Sequence, residues 1–205
     1  MPTGTPAPPS VEWEAIRLWR KRVREELIER RGVLSAELRR SLGENARARL
    51  ARAVDFTAFE VLGFCWPIRG EIDARPLAKR HLAAGGLVAL PVIVHKSAPL
   101  EFWRWYPGIP MQTGVWNIPI PKTRELLSPD VVIAPLVGFD QRGFRLGYGG
   151  GYFDRTLAAA SPRPFAIGLG YAESALETIY PQPHDIPMNL IVTERDVTPG
   201  APPPA

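Results

Sequence analysis

Residues 143–155 read Gly-Phe-Arg-Leu-Gly-Tyr-Gly-Gly-Gly-Tyr-Phe-Asp-Arg, a glycine-rich segment between a short apolar run at 131–135 and a helical pattern near 152–160. Gly147, Gly149, Gly150 and Gly151 carry no Cβ, so the backbone is free to take positive φ and to approach a ligand closely. Successive N–H groups in such a loop make a concavity for an anion, and a helix opening behind it adds its positive end. Arg145 supplies a forked, charge-assisted contact that suits phosphate. No Gly-Lys-Ser/Thr closes the loop, so it is not a P-loop, and its spacing is not that of the dinucleotide fingerprint. Two readings stand here: a phosphate cradle, or a strand-to-helix turn that needs glycine for geometry alone. Four glycines within five residues, with Tyr148 and Tyr152 among them, exceed what a turn requires.

Carboxylates and aromatics elsewhere offer partners for such a loop. Asp154 opens the helix after it, where it either complements the helix dipole or supports a magnesium ion against phosphates. Asp185 lies in Pro181-Gln-Pro-His-Asp-Ile-Pro187, and alone reads as a loop residue. Glu71 follows Trp66-Pro-Ile-Arg-Gly70, just past an apolar run, where open α/β sheets place ligand contacts. Trp116 sits in a proline-fixed loop, either to stack on a flat heterocycle or to anchor the loop. Cys65 is the only cysteine, which excludes an intrachain disulfide and a cysteine-based zinc site. In its apolar run it reads as a small buried hydrophobe.

These residues need a frame. Ile16, Trp19, Val23 and Leu27 recur at helical spacing over 12–31, with Arg20 and Arg24 one turn apart on a face expected to oppose much of that stripe. Ser35 is an expected N-cap for a second helix, with Leu38, Leu42, Ala46 and Leu50 on its buried face. Apolar runs at 61–66, 87–94, 100–105, 131–135, 165–169 and 190–193 read as strands, and Asp73 caps a helix that stops at Gly85-Gly86. Pro91 argues for an edge or a bulge in its strand. Residues 106–129 read as irregular. Strands alternating with helices imply an α/β fold with a mostly parallel sheet. The expected organisation is one domain over 11–196 between disordered tails at 1–10 and 197–205.

Composition narrows the function. No run of 18 apolar residues is present, so no membrane span is expected, and the Pro-, Thr- and Ala-rich start does not read as a secretory signal. The expected compartment is the cytoplasm. Residues 1–52 hold 12 Lys or Arg against 7 Asp or Glu, whereas the remainder is nearly balanced. A local basic segment faces nucleic acid, a membrane surface or a small ligand's phosphates, or is only a solvated helix face. Trp13 and Trp19 beside it suggest an RNA-binding alternative, opposed by their place on the apolar stripe, which predicts that they face the core.

The run Pro135-Leu-Val-Gly-Phe-Asp140, followed by Arg145-Leu-Gly-Tyr-Gly-Gly-Gly-Tyr-Phe-Asp154, resembles the signature of the 5-formyltetrahydrofolate cyclo-ligase (methenyltetrahydrofolate synthetase) family. Gly70-Glu-Ile-Asp73, Trp116-Asn-Ile-Pro-Ile-Pro121 and His184-Asp-Ile-Pro187 agree in order, and the resemblance covers about residues 17–196. It implies a Rossmann-like three-layer sandwich, a mostly parallel sheet flanked by helices. The implied reaction is ATP- and Mg2+-dependent closure of 5-formyltetrahydrofolate to 5,10-methenyltetrahydrofolate, by phosphorylation of the formyl oxygen and attack by N10. Carried over by position, Arg145 and Tyr152 are the catalytic candidates. Arg20, Arg24, Arg145 and the loop Gly147, Tyr148, Gly149, Gly150, Gly151 and Tyr152 meet ATP. Trp66, Glu71, Trp116, Tyr148 and Tyr152 line the folate site, and Asp154 and Asp185 support magnesium. Arg20 stands where many relatives have lysine, with Lys21 adjacent, and Asn189 where an acid is frequent. A monomer acting on small molecules, without nucleic-acid or membrane partners, is expected. A paralogue of the same fold with another substrate is the alternative.

Overall fold

The computed structural model describes residues 13–200, so the expected tail at 1–10 and the end of the C-terminal one lie outside the described residues. The helices are α1 (Trp13–Val33), α2 (Ala36–Ala53), α3 (Arg75–Ala83) and α4 (Tyr152–Ala159). The strands of the first half are β1 (Val61–Phe64), β2 (Leu87–Val92), β3 (Glu101–Arg104), β4 (Met111–Thr113) and β5 (Pro119–Pro121). Those of the second half are β6 (Val131–Pro135), β7 (Gly138–Asp140), β8 (Arg145–Leu146), β9 (Phe165–Leu169), β10 (Ala175–Leu176), β11 (Leu190–Val192) and β12 (Val197–Pro199). Val197–Pro199, expected to begin a tail, instead pair antiparallel with Leu190–Val192.

Seven strands form the main sheet in the order β12-β11-β9-β6-β1-β2-β3. The five inner strands run parallel and the two edges antiparallel. Alternation along the strands sends Leu62, Phe64, Val131 and Ile133 into one layer with Leu50 of α2 and Leu77 of α3. Val132 and Ala134 face the other layer, with Leu157 of α4. The result is the expected three-layer α/β sandwich.

The chain leaves β1 for β2 on one side and returns at β6 on the other, since β1 pairs with both. Strand order therefore reverses between β1 and β6, and the segments leaving their carboxyl ends diverge around a crevice. Pro91 keeps its place because the ladder with β1 covers only Leu87–Ala89. Beyond it β2 pairs with β3 alone, so the missing N–H breaks no bond to β1.

Two smaller sheets flank the crevice. β10-β7-β8 carries the chain into the glycine-rich segment, and Val23 and Leu27 of α1 pack against its Leu146 together with Val137 and Ile179. The β4–β5 hairpin occupies the segment read as irregular and holds Trp116 at its tip. Ser35 caps α2 as expected, its Oγ accepting from the Leu38 N–H at 3.1 Å, but Leu38 itself is exposed and Gly43, Ala46 and Leu50 form the buried face. Asp73 accepts from the Arg75 N–H at 2.9 Å, one residue outside the α3 cap position. Among the described residues no helix is long and apolar enough to cross a membrane.

Helix α1 corrects one expectation. At about 100° per residue, Val23, Arg24, Leu27 and Arg31 all fall within about 60° of Arg20. The arginines therefore share the apolar stripe rather than oppose it, and Arg20, Val23, Leu27 and Arg31 are the buried residues of the helix. Trp13 departs as well: it is 48% exposed and meets His184 edge-on instead of facing the core.

Candidate active site

A cavity of about 340 Å3 opens at the carboxyl ends of β1, β2 and β6. Trp66 and Glu71 enter from the segment after β1, residues 147–154 from the glycine-rich loop and α4, Arg20 and Arg24 from α1, Trp116 from the hairpin, and Asp185 from the 179–187 segment. Every site residue expected from the sequence lines this one cavity.

The glycines divide by physical need. Gly149 and Gly151 have φ of 94° and 62°, a region that side chains disfavour, and Gly151 is the N-cap of α4. Gly147 has no such constraint: a Cβ there would meet nothing within 4 Å. A purely geometric turn accounts for the first two and leaves Gly147 unexplained. The loop is braced from outside, where Arg155 Nη2 donates to the Gly150 carbonyl at 2.6 Å and Arg24 Nε donates to the Gly147 carbonyl at 2.7 Å.

Two arginine–aspartate pairs frame the far wall. Arg145 forks onto both oxygens of Asp154 at 3.1 and 3.2 Å, and Asp154 Oδ1 also accepts from the Ile186 N–H at 3.1 Å. Arg20 is buried: it donates to both oxygens of Asp185 and to the carbonyls of Ile179 and Tyr180. Asp185 Oδ2 takes a further N–H from Gln182. Arg20 is thus committed to clasping the 179–185 segment. Arg24, one turn on, makes only the bond to Gly147 among the described residues. Burial, with the Arg20 charge next to it, lowers its pKa, a strain that an arriving anion relieves.

The carboxylates suit magnesium only in one manner. Among the described residues no cluster of three or more His, Cys, Asp or Glu is arranged for a metal. Asp154 and Asp185 are both ion-paired, at 16% and 10% side-chain exposure. Such a donor set fits an ion held mainly by phosphates and water with one or two carboxylates, the usual habit of Mg2+.

Glu71 occupies the opposite wall. Its Oε1 accepts from the Tyr148 hydroxyl at 2.6 Å and its Oε2 from the Ile68 N–H at 3.0 Å. Burial raises its pKa, and these two bonds and the charges of Arg31 and Arg69 oppose the rise. Burial and the Glu71 charge push the Tyr148 phenol up, so it stays a donor. Trp66 is fixed by Arg75, whose guanidinium lies 4.9 Å from its ring centroid, and by an edge contact to Trp105. Trp116 stays 61% exposed, at φ 57°, its ring edge-on to Tyr152 at 5.8 Å. Burial, with Glu71 nearby, lifts the Cys65 thiol well above its usual pKa, so it acts as lining. Asn189 is no ligand: its Oδ1 accepts from the Ala166 N–H at 2.7 Å and joins β9 to the start of β11. Sequence reasoning missed Arg31, Arg155 and the carbonyls of 179–180. The available signal was Arg31 at seven residues from Arg24, on the buried stripe.

The profile of the 5-formyltetrahydrofolate cyclo-ligase family matches residues 16–194, from the first turn of α1 to just past β11. The chain belongs to this family. Among cyclo-ligase relatives, the 5-formyltetrahydrofolate cyclo-ligase of Escherichia coli (strain K12) is 31% identical over 176 residues, covering 82% of this chain and 97% of its own. That of Haemophilus influenzae is 28% identical, covering 82% and 94%. The NMR structure of Aquifex aeolicus 5,10-methenyltetrahydrofolate synthetase superposes with a TM-score of 0.77 at 27% identity, over 91% of this chain and 95% of that one. A 5,10-methenyltetrahydrofolate synthetase from Mycoplasma pneumoniae shares the fold, with a TM-score of 0.69 at 20% identity over 85% and 98%. A nucleotide co-substrate is implied by membership of a cyclo-ligase family.

Proposed function

We propose that the chain closes the ring of 5-formyltetrahydrofolate to give 5,10-methenyltetrahydrofolate, using ATP and magnesium. The observation that supports this reading is that the glycine-rich loop and Arg24 line one cavity with Glu71 and Trp66, a lining whose chemistry suits a polyphosphate beside a flat heterocycle. The formyl oxygen is a poor leaving group and phosphate a good one. The γ-phosphoryl passes to that oxygen, N10 attacks the formyl carbon and loses its proton, and phosphate departs with the oxygen. The protein's work is to align the reactants and stabilise spreading negative charge.

In this reading the loop N–H groups from Gly147 to Tyr152 and the opening turn of α4 cradle the phosphates. Arg24 supplies a cation, and Arg145 balances charge on the transferring group. Asp154 and Asp185 would help hold magnesium, which would supply further charge neutralisation. Glu71 accepts hydrogen bonds from the folate ring, Trp66 lies along it, and Trp116 and Tyr152 border the reacting end. Omission assays on the purified protein test the reading. The methenyl product, followed by its absorbance, is expected only when ATP, magnesium and 5-formyltetrahydrofolate are all present. Product at an equal rate without ATP, or none in the full mixture, contradicts it.

A further inference from the structure

Arg31 lies outside the cavity lining, yet three of its nitrogens reach groups that shape it. Its side chain is buried, with the residue only 2% exposed. Nε donates to the Arg69 carbonyl at 2.9 Å, Nη1 to the Leu136 carbonyl at 3.1 Å and Nη2 to the Tyr148 hydroxyl at 2.7 Å. These acceptors belong to the segment after β1, the segment after β6 and the glycine-rich loop, the three walls that meet at the switch point. A guanidinium only donates, so the Tyr148 oxygen must accept from it and direct its own proton elsewhere. That proton goes to Glu71 Oε1 at 2.6 Å.

We propose that Arg31 is a positioning residue that fixes the Glu71 carboxylate toward the cavity through the Tyr148 hydroxyl. The planar fork sets all three bonds at once, so the loop that holds phosphates and the acid that meets the heterocycle are held in register by one group. With Tyr148 and the Ile68 N–H each occupying one lone pair, the remaining lone pairs of both Glu71 oxygens are left for a ligand. The charged or titrating groups facing Glu71 are Arg31 from α1, Arg69 and Cys65 from the segment after β1, and Tyr148 from the loop. Loss of the Tyr148 hydroxyl removes a donor to the charged form, so the Glu71 titration moves to higher pH.

The inference rests on the proposed folate reaction for its kinetic consequence but not for its structural one. Tyr148→Phe and Arg31→Lys preserve bulk and charge respectively, and their double variant closes a cycle. In the unliganded protein, carbon NMR of the Glu71 carboxyl is expected to titrate at higher pH in Tyr148→Phe than in the wild type. Arg31→Lys is expected to move it the same way, and the double variant no further than the larger single shift. The KM for 5-formyltetrahydrofolate should rise by about tenfold to a hundredfold in each single variant. The acid limb of kcat/KM should move up in pH alongside the NMR midpoint. An unmoved midpoint in both variants, or shifts and KM changes that add in the double variant, overturns the proposal. A lower melting temperature with an unmoved midpoint assigns Arg31 to structure alone and overturns it as well. An inactive wild type instead refutes the folate reading, and the NMR cycle still decides the role of Arg31.

Discussion

Arg20 and Arg24 stand one turn apart on α1 with different occupations. Arg20 spends its donors on Asp185 and two carbonyls, whereas Arg24 holds one carbonyl and faces the cavity. Spacing alone cannot separate them, because both fall on the helix's apolar face and only the 179–185 segment, distant in sequence, decides which is enclosed. Removing one partner of a buried pair strands the other charge, so Arg20→Ala is expected to cost about 3–5 kcal/mol of stability. Lys21, exposed and turned about 100° away, should change stability by less than about 0.5 kcal/mol as Lys21→Ala. Arg24→Ala should melt near the wild type but raise the KM for ATP. Urea unfolding and ATP titration of the three variants check this. A stable Arg20→Ala with impaired ATP use would make Arg20 the phosphate contact and contradict the assignment.

At the scale of the element, the loop between β8 and α4 was the most legible part of the chain, since glycine density and Arg145 announce close backbone approach. What sequence left open was whether the glycines serve geometry or a ligand. The structure separates the cases at Gly147, where backbone and surroundings both tolerate a side chain. Gly147→Ala is expected to leave the melting temperature unchanged or slightly higher, since alanine in an allowed conformation restricts the unfolded chain, by about 0.4–1 kcal/mol. If the Gly147 backbone meets phosphate, the added methyl raises the KM for ATP by about tenfold or more, consistent with loss of a charge-assisted contact. An unchanged KM would return the loop to a structural turn. The short strands β7, β8 and β10 were not legible, because two or three residues carry no periodicity, and β10 forms only by pairing with the distant β7. The hairpin under Trp116 was hidden for a related reason: β5 carries Pro119 and Pro121, and the turn before it has two non-glycine residues at positive φ.

For the whole molecule, the parallel core was readable from runs such as Val131–Pro135 and Phe165–Leu169, which are apolar because both faces of the sheet are covered. The reversal of strand order between β1 and β6 was not readable, yet it is what brings Glu71 opposite residues 147–154, so the site follows from topology as much as from motif. The antiparallel β12 escaped notice because Val197–Pro199 has no pattern of its own and depends on β11. In the proposed reaction this crevice joins ATP to the formyl group before the ring closes. The most direct measurement uses 5-formyltetrahydrofolate carrying a heavy-oxygen label in the formyl group, with ATP and magnesium, and analyses the released phosphate by mass spectrometry. One labelled oxygen is expected in each phosphate formed, in step with methenyl product. Methenyl product accompanied by unlabelled phosphate would contradict it.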